Sequence, residues 1–142
     1  MNGTLLIIAE CPQGQLSQHS VETIAAAQGL AADKIIVAIA GKELTPAVAA
    51  LESFSINELW TVQQALLETY SSDLFCAVYC SIIERLQPNI VLLPHSYQAR
   101  DFAPVMATRF NRSLVSDCID IKQEQQKLLY VRPLFQGRFH AD

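Results

Sequence analysis

Charge is scarce in this chain of 142 residues. Only 17% of residues are Asp, Glu, Lys or Arg, against about 25% in an ordinary soluble domain. That excludes an intrinsically disordered segment, which combines low hydrophobicity with high net charge. Basic residues are the scarcer sign: ten Lys and Arg against fourteen Asp and Glu, a net charge of −4. Nucleic-acid binding, which draws its affinity from Lys and Arg on phosphates, is not expected. Glycine is limited to five positions and proline to six, too few for collagen-like or low-complexity sequence. No apolar run approaches the ~20 residues a bilayer requires. The longest, residues 74–83, is half that length, so no membrane insertion is expected. The N-terminus has no basic segment before its first apolar run, so no secretory signal is expected. Four cysteines, Cys11, Cys76, Cys80 and Cys118, fit neither a disulfide framework nor a close-spaced ligand set. Free thiols, no bound metal and a cytoplasmic location are the expectation.

Hydrophobic residues make up 51% of the chain. One core serves about 100–200 residues, so residues 1–142 read as a single domain. So few charged groups cannot cover a small domain's surface, and some apolar surface is left for a partner.

Residues 4–9 (TLLIIA) and 34–40 (KIIVAIA) are apolar throughout and read as strands buried on both faces. Further strands are expected at 56–62, 89–93, 114–121 and 128–135. Helices are expected after Ser17, over 43–52, briefly over 63–70, from a cap at Ser72 or Asp73 to Leu86, and over 101–111. In the last, Asp101 stands at the cap, Pro104 falls in the first turn, and Phe102, Val105, Met106, Ala107 and Phe110 face inward. Alternating strand and helix with apolar strands predicts an α/β fold, a doubly wound and mostly parallel sheet. Residues 122–127 are too short for a helical crossover, so the last two strands are expected to form a C-terminal antiparallel β-hairpin.

Ligands of such sheets sit beyond the carboxyl ends of the strands. The loop after the first strand, Glu10-Cys11-Pro12-Gln13-Gly14, holds one glycine, and none occurs between Gly41 and Gly137. A phosphate cradle needs several, so neither a dinucleotide fingerprint nor a P-loop is present. The loop after the fourth strand is the most loaded. His95, Ser96, Arg100 and Asp101 gather at a helix N-terminus, where free N–H groups favour anions. They are candidates for an anion or interface site. No nucleophile elbow and no carboxylate pair is legible, so no catalytic residue is assigned.

Three stretches resemble the N-terminal domain of the α subunit of electron-transfer flavoproteins. The first is Leu5-Leu6-Ile7-Ile8-Ala9-Glu10 with Gly14-Gln15-Leu16-Ser17. The second runs from Arg100-Asp101 through Pro104 and Ala107 to Val115-Ser116-Asp117, which adds Ser116 and Asp117 to the candidate site. The third is Val131-Arg132-Pro133-Leu134-Phe135-Gln136-Gly137. Ala99, Val105 and Arg138 depart from the family, which often has Gly, Arg and Asn there.

The resemblance implies the fold of the adenine-nucleotide alpha-hydrolase-like group. It implies a scaffold domain without a catalytic site of its own, paired with a β subunit. The complete heterodimer carries FAD, most of it held by a C-terminal domain outside residues 1–142. It passes electrons from dehydrogenases to a respiratory or other acceptor. No flavin is expected on this chain alone. Tyr130, Arg132, Leu134 and Phe135 are the candidate partner surface, which isolated copies would cover by self-association. The alternatives are a stand-alone adenine-nucleotide module of the universal-stress type, whose glycine-rich phosphate segment is lacking, and a small hydrolase, for which only scattered Ser, His and Asp speak.

Overall fold

The computed structural model describes residues 3–30, 32–115, 120–124, 127–134 and 139–141. Four parallel strands form the main sheet: β1 (Thr4–Ile8), β2 (Lys34–Gly41), β3 (Glu58–Gln63) and β4 (Ile90–Leu92), in the order β3-β2-β1-β4. The register pairs Leu6 with Ile36 and Val91, and Ile36 with Glu58. The two central strands explain their own sequences. Leu5 through Ala9 and Ile36 through Ile39 are at most 1% exposed, because helices cover both faces. A strand covered on both sides has no solvent face and shows no alternation.

Side chains alternate between the two faces. Leu5, Ile7, Ile35, Val37 and Ile39 pack with Ile24 and Ala27 of helix α1 (Gln18–Gln28) and with Ala47 and Leu51 of α2 (Thr45–Leu51). Leu6, Ile8, Ile36 and Ala38 pack with Tyr79, Cys80, Ile82 and Ile83 of α3 (Ser72–Leu86) and with Phe102 and Met106 of α4 (Tyr97–Arg109). The expected parallel α/β architecture is thus present, with α1 and α2 on one face and α3 and α4 on the other.

Serine hydroxyls start three of the four helices. Ser17, Ser71 and Ser96 accept hydrogen bonds from the backbone N–H of Ser20, Leu74 and Ala99, each worth about 1 kcal/mol. The cap of α3 is therefore Ser71, not Ser72 or Asp73. The larger correction concerns α4. It starts at Tyr97 from the Ser96 cap, four residues before the expected Asp101. Pro104 consequently lies inside the helix, not in its first turn. It is exposed, so the carbonyl four residues earlier, left without its N–H partner, is open to water. The shift also turns Val105 outward, 59% exposed, and Ala103 inward.

The short piece expected over 63–70 is a single 3₁₀ turn at Ala65–Leu67. Leu114 and Val115, expected in a fifth strand, are exposed coil. Residues 116–119 lie outside the described residues. Beyond them the backbone runs through β5 (Asp120–Glu124), β6 (Lys127–Leu134) and β7 (Phe139–Ala141). These pair antiparallel in the order β5-β6-β7.

Candidate functional site

Crossovers from β1 to β2 to β3 proceed in one direction, and the chain then returns to place β4 on the far side of β1. The carboxyl ends of β1 and β4 therefore flank the switch point, where open α/β sheets bind ligands. Glu10 follows β1 and Ser96 follows β4. The Ser96 hydroxyl donates a hydrogen bond to Oε1 of Glu10 while accepting from the Ala99 N–H. One side chain thus caps α4 and joins two strand ends 86 positions apart.

Glu10 is held from its other side as well. Its backbone N–H donates to the Ser20 hydroxyl at 2.7 Å, and its carbonyl accepts from the Ser17 N–H at 3.0 Å. Ser20 is fully buried. Tyr70, after β3, places its hydroxyl 3.2 Å from the Gln98 carbonyl and 3.4 Å from Oδ2 of Asp101. Gly14 closes the loop after β1 with φ of +80°. Any Cβ there would meet the Glu43 carbonyl oxygen at 2.5 Å.

The candidate loop divides between two concavities. His95 and Arg100 line a groove of about 1130 Å³ along the outer side of β4, walled by α1 and α4. Ser96 and Asp101 instead bond to Glu10 and Tyr70, which line a separate cavity of about 330 Å³ over the ends of β1 and β2. His95, Arg100 and Asp101 are exposed, and Asp101 does not cap the helix. Ser116, Asp117 and Phe135 lie outside the described residues. For Tyr130, Arg132 and Leu134 the backbone alone is described. It places them in β6 opposite Ile121, Ala141 and Phe139.

Glu10, Tyr70 and Tyr79 are cavity residues that sequence reasoning passed over. Glu10 and Tyr70 each follow a strand, which was the available signal.

The cysteine positions argue for inert thiols. Cys76 and Cys80 are buried one helical turn apart on α3, with sulfurs 3.9 Å from each other, and Cys11 is partly covered. Burial first, and the Glu10 carboxylate second, push the Cys11 thiol up to about 12. Burial and the Cys76 thiol raise Cys80 to about 11. Thiols held neutral in the folded state but titrating near 8.5 when unfolded stabilise the fold less as pH rises. Their contribution is complete below pH ~8 and is lost between about 8.5 and 12. Urea midpoints measured from pH 7 to 10.5 are expected to fall above pH 9. A Cys11→Ser, Cys76→Ser, Cys80→Ser variant is expected to show a shallower fall. Equal slopes for parent and variant would contradict this account of the thiols.

Among the described residues no three His, Cys, Asp or Glu side chains gather as a metal site. None of the described helices is long and apolar enough to cross a membrane.

The fold and these strand-end groups define a parallel α/β domain with a polar switch point and no glycine-rich phosphate loop. The chain belongs to the family described as the electron transfer flavoprotein domain, which matches residues 4–142. It is 25% identical over 139 residues to the electron transfer flavoprotein subunit alpha of Bacillus subtilis, covering 97% of this chain and 43% of that protein. It is 30% identical over 141 residues to the subunit alpha of Methylophilus methylotrophus, covering 97% and 44%. Protein FixB of Clostridium saccharobutylicum is 28% identical over 140 residues, with 95% and 42% covered. The chain spans less than half the length of these curated relatives.

Proposed function

We propose that this chain is the partner-binding scaffold domain of an electron-transfer flavoprotein α subunit. The complete α–β heterodimer would carry electrons on FAD between dehydrogenases and a respiratory or other acceptor. The observation that carries the reading is the family match across residues 4–142, joined to relatives that are themselves α subunits. The expected C-terminal FAD-binding domain and the cytoplasmic location belong to the same proposal.

The strand-end residues do not fit the diphosphate of FAD. Glu10, Glu43 and Glu68 line the cavity, and Lys42 stands 3.3 Å from Glu68. Carboxylates repel a diphosphate, and Gly14, the glycine after β1, already has the Glu43 carbonyl against it. The domain's role in electron transfer is then to hold other parts in place.

Exposed apolar side chains support a docking role. Tyr97, the first residue of α4, is 86% exposed, and Leu66, in the 3₁₀ turn after β3, is 74% exposed. We assign the loop of His95, Ser96, Arg100 and Asp101, with Ser116 and Asp117, to the partner interface, together with Tyr130, Arg132, Leu134 and Phe135 of the C-terminal hairpin. Self-association of isolated copies would use the same surface.

An absorbance spectrum with an ATP titration tests the reading. The purified chain is expected to be colourless and to give no saturable ATP binding up to millimolar concentration. Stoichiometric flavin surviving gel filtration would place FAD contacts here. Micromolar ATP binding would instead favour a nucleotide-binding module.

A further inference from the structure

The 330 Å³ cavity between the ends of β1 and β2 has a chemistry that a partner-binding scaffold does not require. Its inner wall is aromatic. Tyr70, Phe75, Tyr79 and Phe102 form a chain of ring contacts with centroids 5.5, 6.1 and 5.7 Å apart, and all four line the cavity. Its mouth is acidic. Glu10, Glu43 and Glu68 stand against one cation, Lys42, which Glu68 already pairs.

Tyr79 supplies the independent observation. The residue is 2% exposed, and its hydroxyl makes no hydrogen bond among the described residues. Yet every fully enclosed side-chain polar atom among them has a partner. The Tyr79 oxygen is therefore not sealed in the core but opens into the cavity. A ligand hydroxyl in the cavity would give this oxygen the partner that the described residues do not.

We propose that this cavity binds a small organic ammonium ion that also carries a hydroxyl group. The cavity lies at the lower end of the 300–1,000 Å³ typical of ligand sites, which limits the ligand to a compact molecule. The carboxylates favour a cation over an anion or a neutral solute. Aromatic faces attract ammonium groups, most strongly where water is excluded. The hydroxyl meets Tyr79, and Glu10, already anchored through Oε1 by Ser96, keeps Oε2 for the cation. The inference does not depend on the electron-transfer reading, because it rests on the cavity alone.

The test uses the 142-residue chain and two probes of nearly equal shape, choline and its uncharged isostere 3,3-dimethyl-1-butanol. Binding is followed by amide shifts in nuclear magnetic resonance at constant ionic strength. Choline is expected to saturate with a Kd of about 1 mM or below and to shift amides of Gly14 and Gly41. The neutral isostere is expected to bind at least tenfold more weakly. Tyr79→Phe and Glu10→Gln are each expected to weaken choline at least fivefold. Tyr79→Phe removes one oxygen and leaves the ring packing, so it remains informative if Glu10→Gln unfolds. No saturation by 20 mM choline, equal binding of the two probes, or an unchanged Kd in a folded Tyr79→Phe variant would each overturn the proposal. None of these results bears on whether the chain binds a β subunit.

Discussion

Replacing Leu6 by alanine is expected to lower the unfolding free energy by about 2–5 kcal/mol. Leu6 is fully buried on β1, between β2 and β4, and belongs to the cluster shared with α3 and α4. Deleting its outer methyl groups removes contacts to strands on both sides and to the helices beneath. The backbone is pinned by two parallel ladders and cannot collapse to fill the space. The loss is a large share of the 5–15 kcal/mol that stabilises a typical domain. Leu66→Ala, at a side chain 74% exposed, is the control and should change stability by no more than about 0.5 kcal/mol. Urea unfolding of the three proteins measures both differences. Equal midpoints for the parent and Leu6→Ala would mean that the core is not where this fold puts it.

The double variant Tyr130→Glu, Phe135→Glu is expected to weaken binding to the cognate β subunit about 100-fold or more. Strand β6 is paired on both edges, to β5 and to β7. The docking surface proposed for the β subunit is a face of β6. Alternate residues of a strand share a face, which groups Leu128, Tyr130, Arg132 and Leu134. Tyrosine and arginine are enriched among residues that dominate binding energy, each worth about 2 kcal/mol or more when buried at an interface centre. A specific interface should bury more than ~1,000 Å², and the carboxylate of Tyr130→Glu in its centre would be stranded without water. Circular dichroism establishes whether the variant is folded. If it is folded and binds as tightly as the parent, the docking surface lies elsewhere.

How much could be read from the sequence depends on the range of the signal. The cores of β1 and β2 were legible because residues 5–9 and 36–39 are buried on both faces, and an unbroken apolar run is a local pattern. The start of α4 was not. Ser96 and Asp101 are both capping residue types, and Pro104 favours a first turn, so the local rules pointed to the later start. What decides the matter is the hydroxyl of Ser96, which caps the helix and also reaches Glu10. That contact depends on β1 and β4 being neighbours, and strand order is not encoded within any short window. The candidate loop is divided for the same reason. His95, Ser96, Arg100 and Asp101 are close in sequence, yet the start of α4 divides them between two concavities. The ring of Tyr79 belongs to the core cluster beneath the sheet. Only the position of its hydroxyl shows that one end of the side chain faces a cavity.

The central claim is that this domain is built to dock a β subunit. Sedimentation velocity of the purified chain, alone and mixed with its cognate β subunit at low micromolar concentration, tests it most directly. The account predicts a one-to-one complex that replaces both free species, formed without added flavin. Two boundaries that sediment independently at every mixing ratio would contradict it.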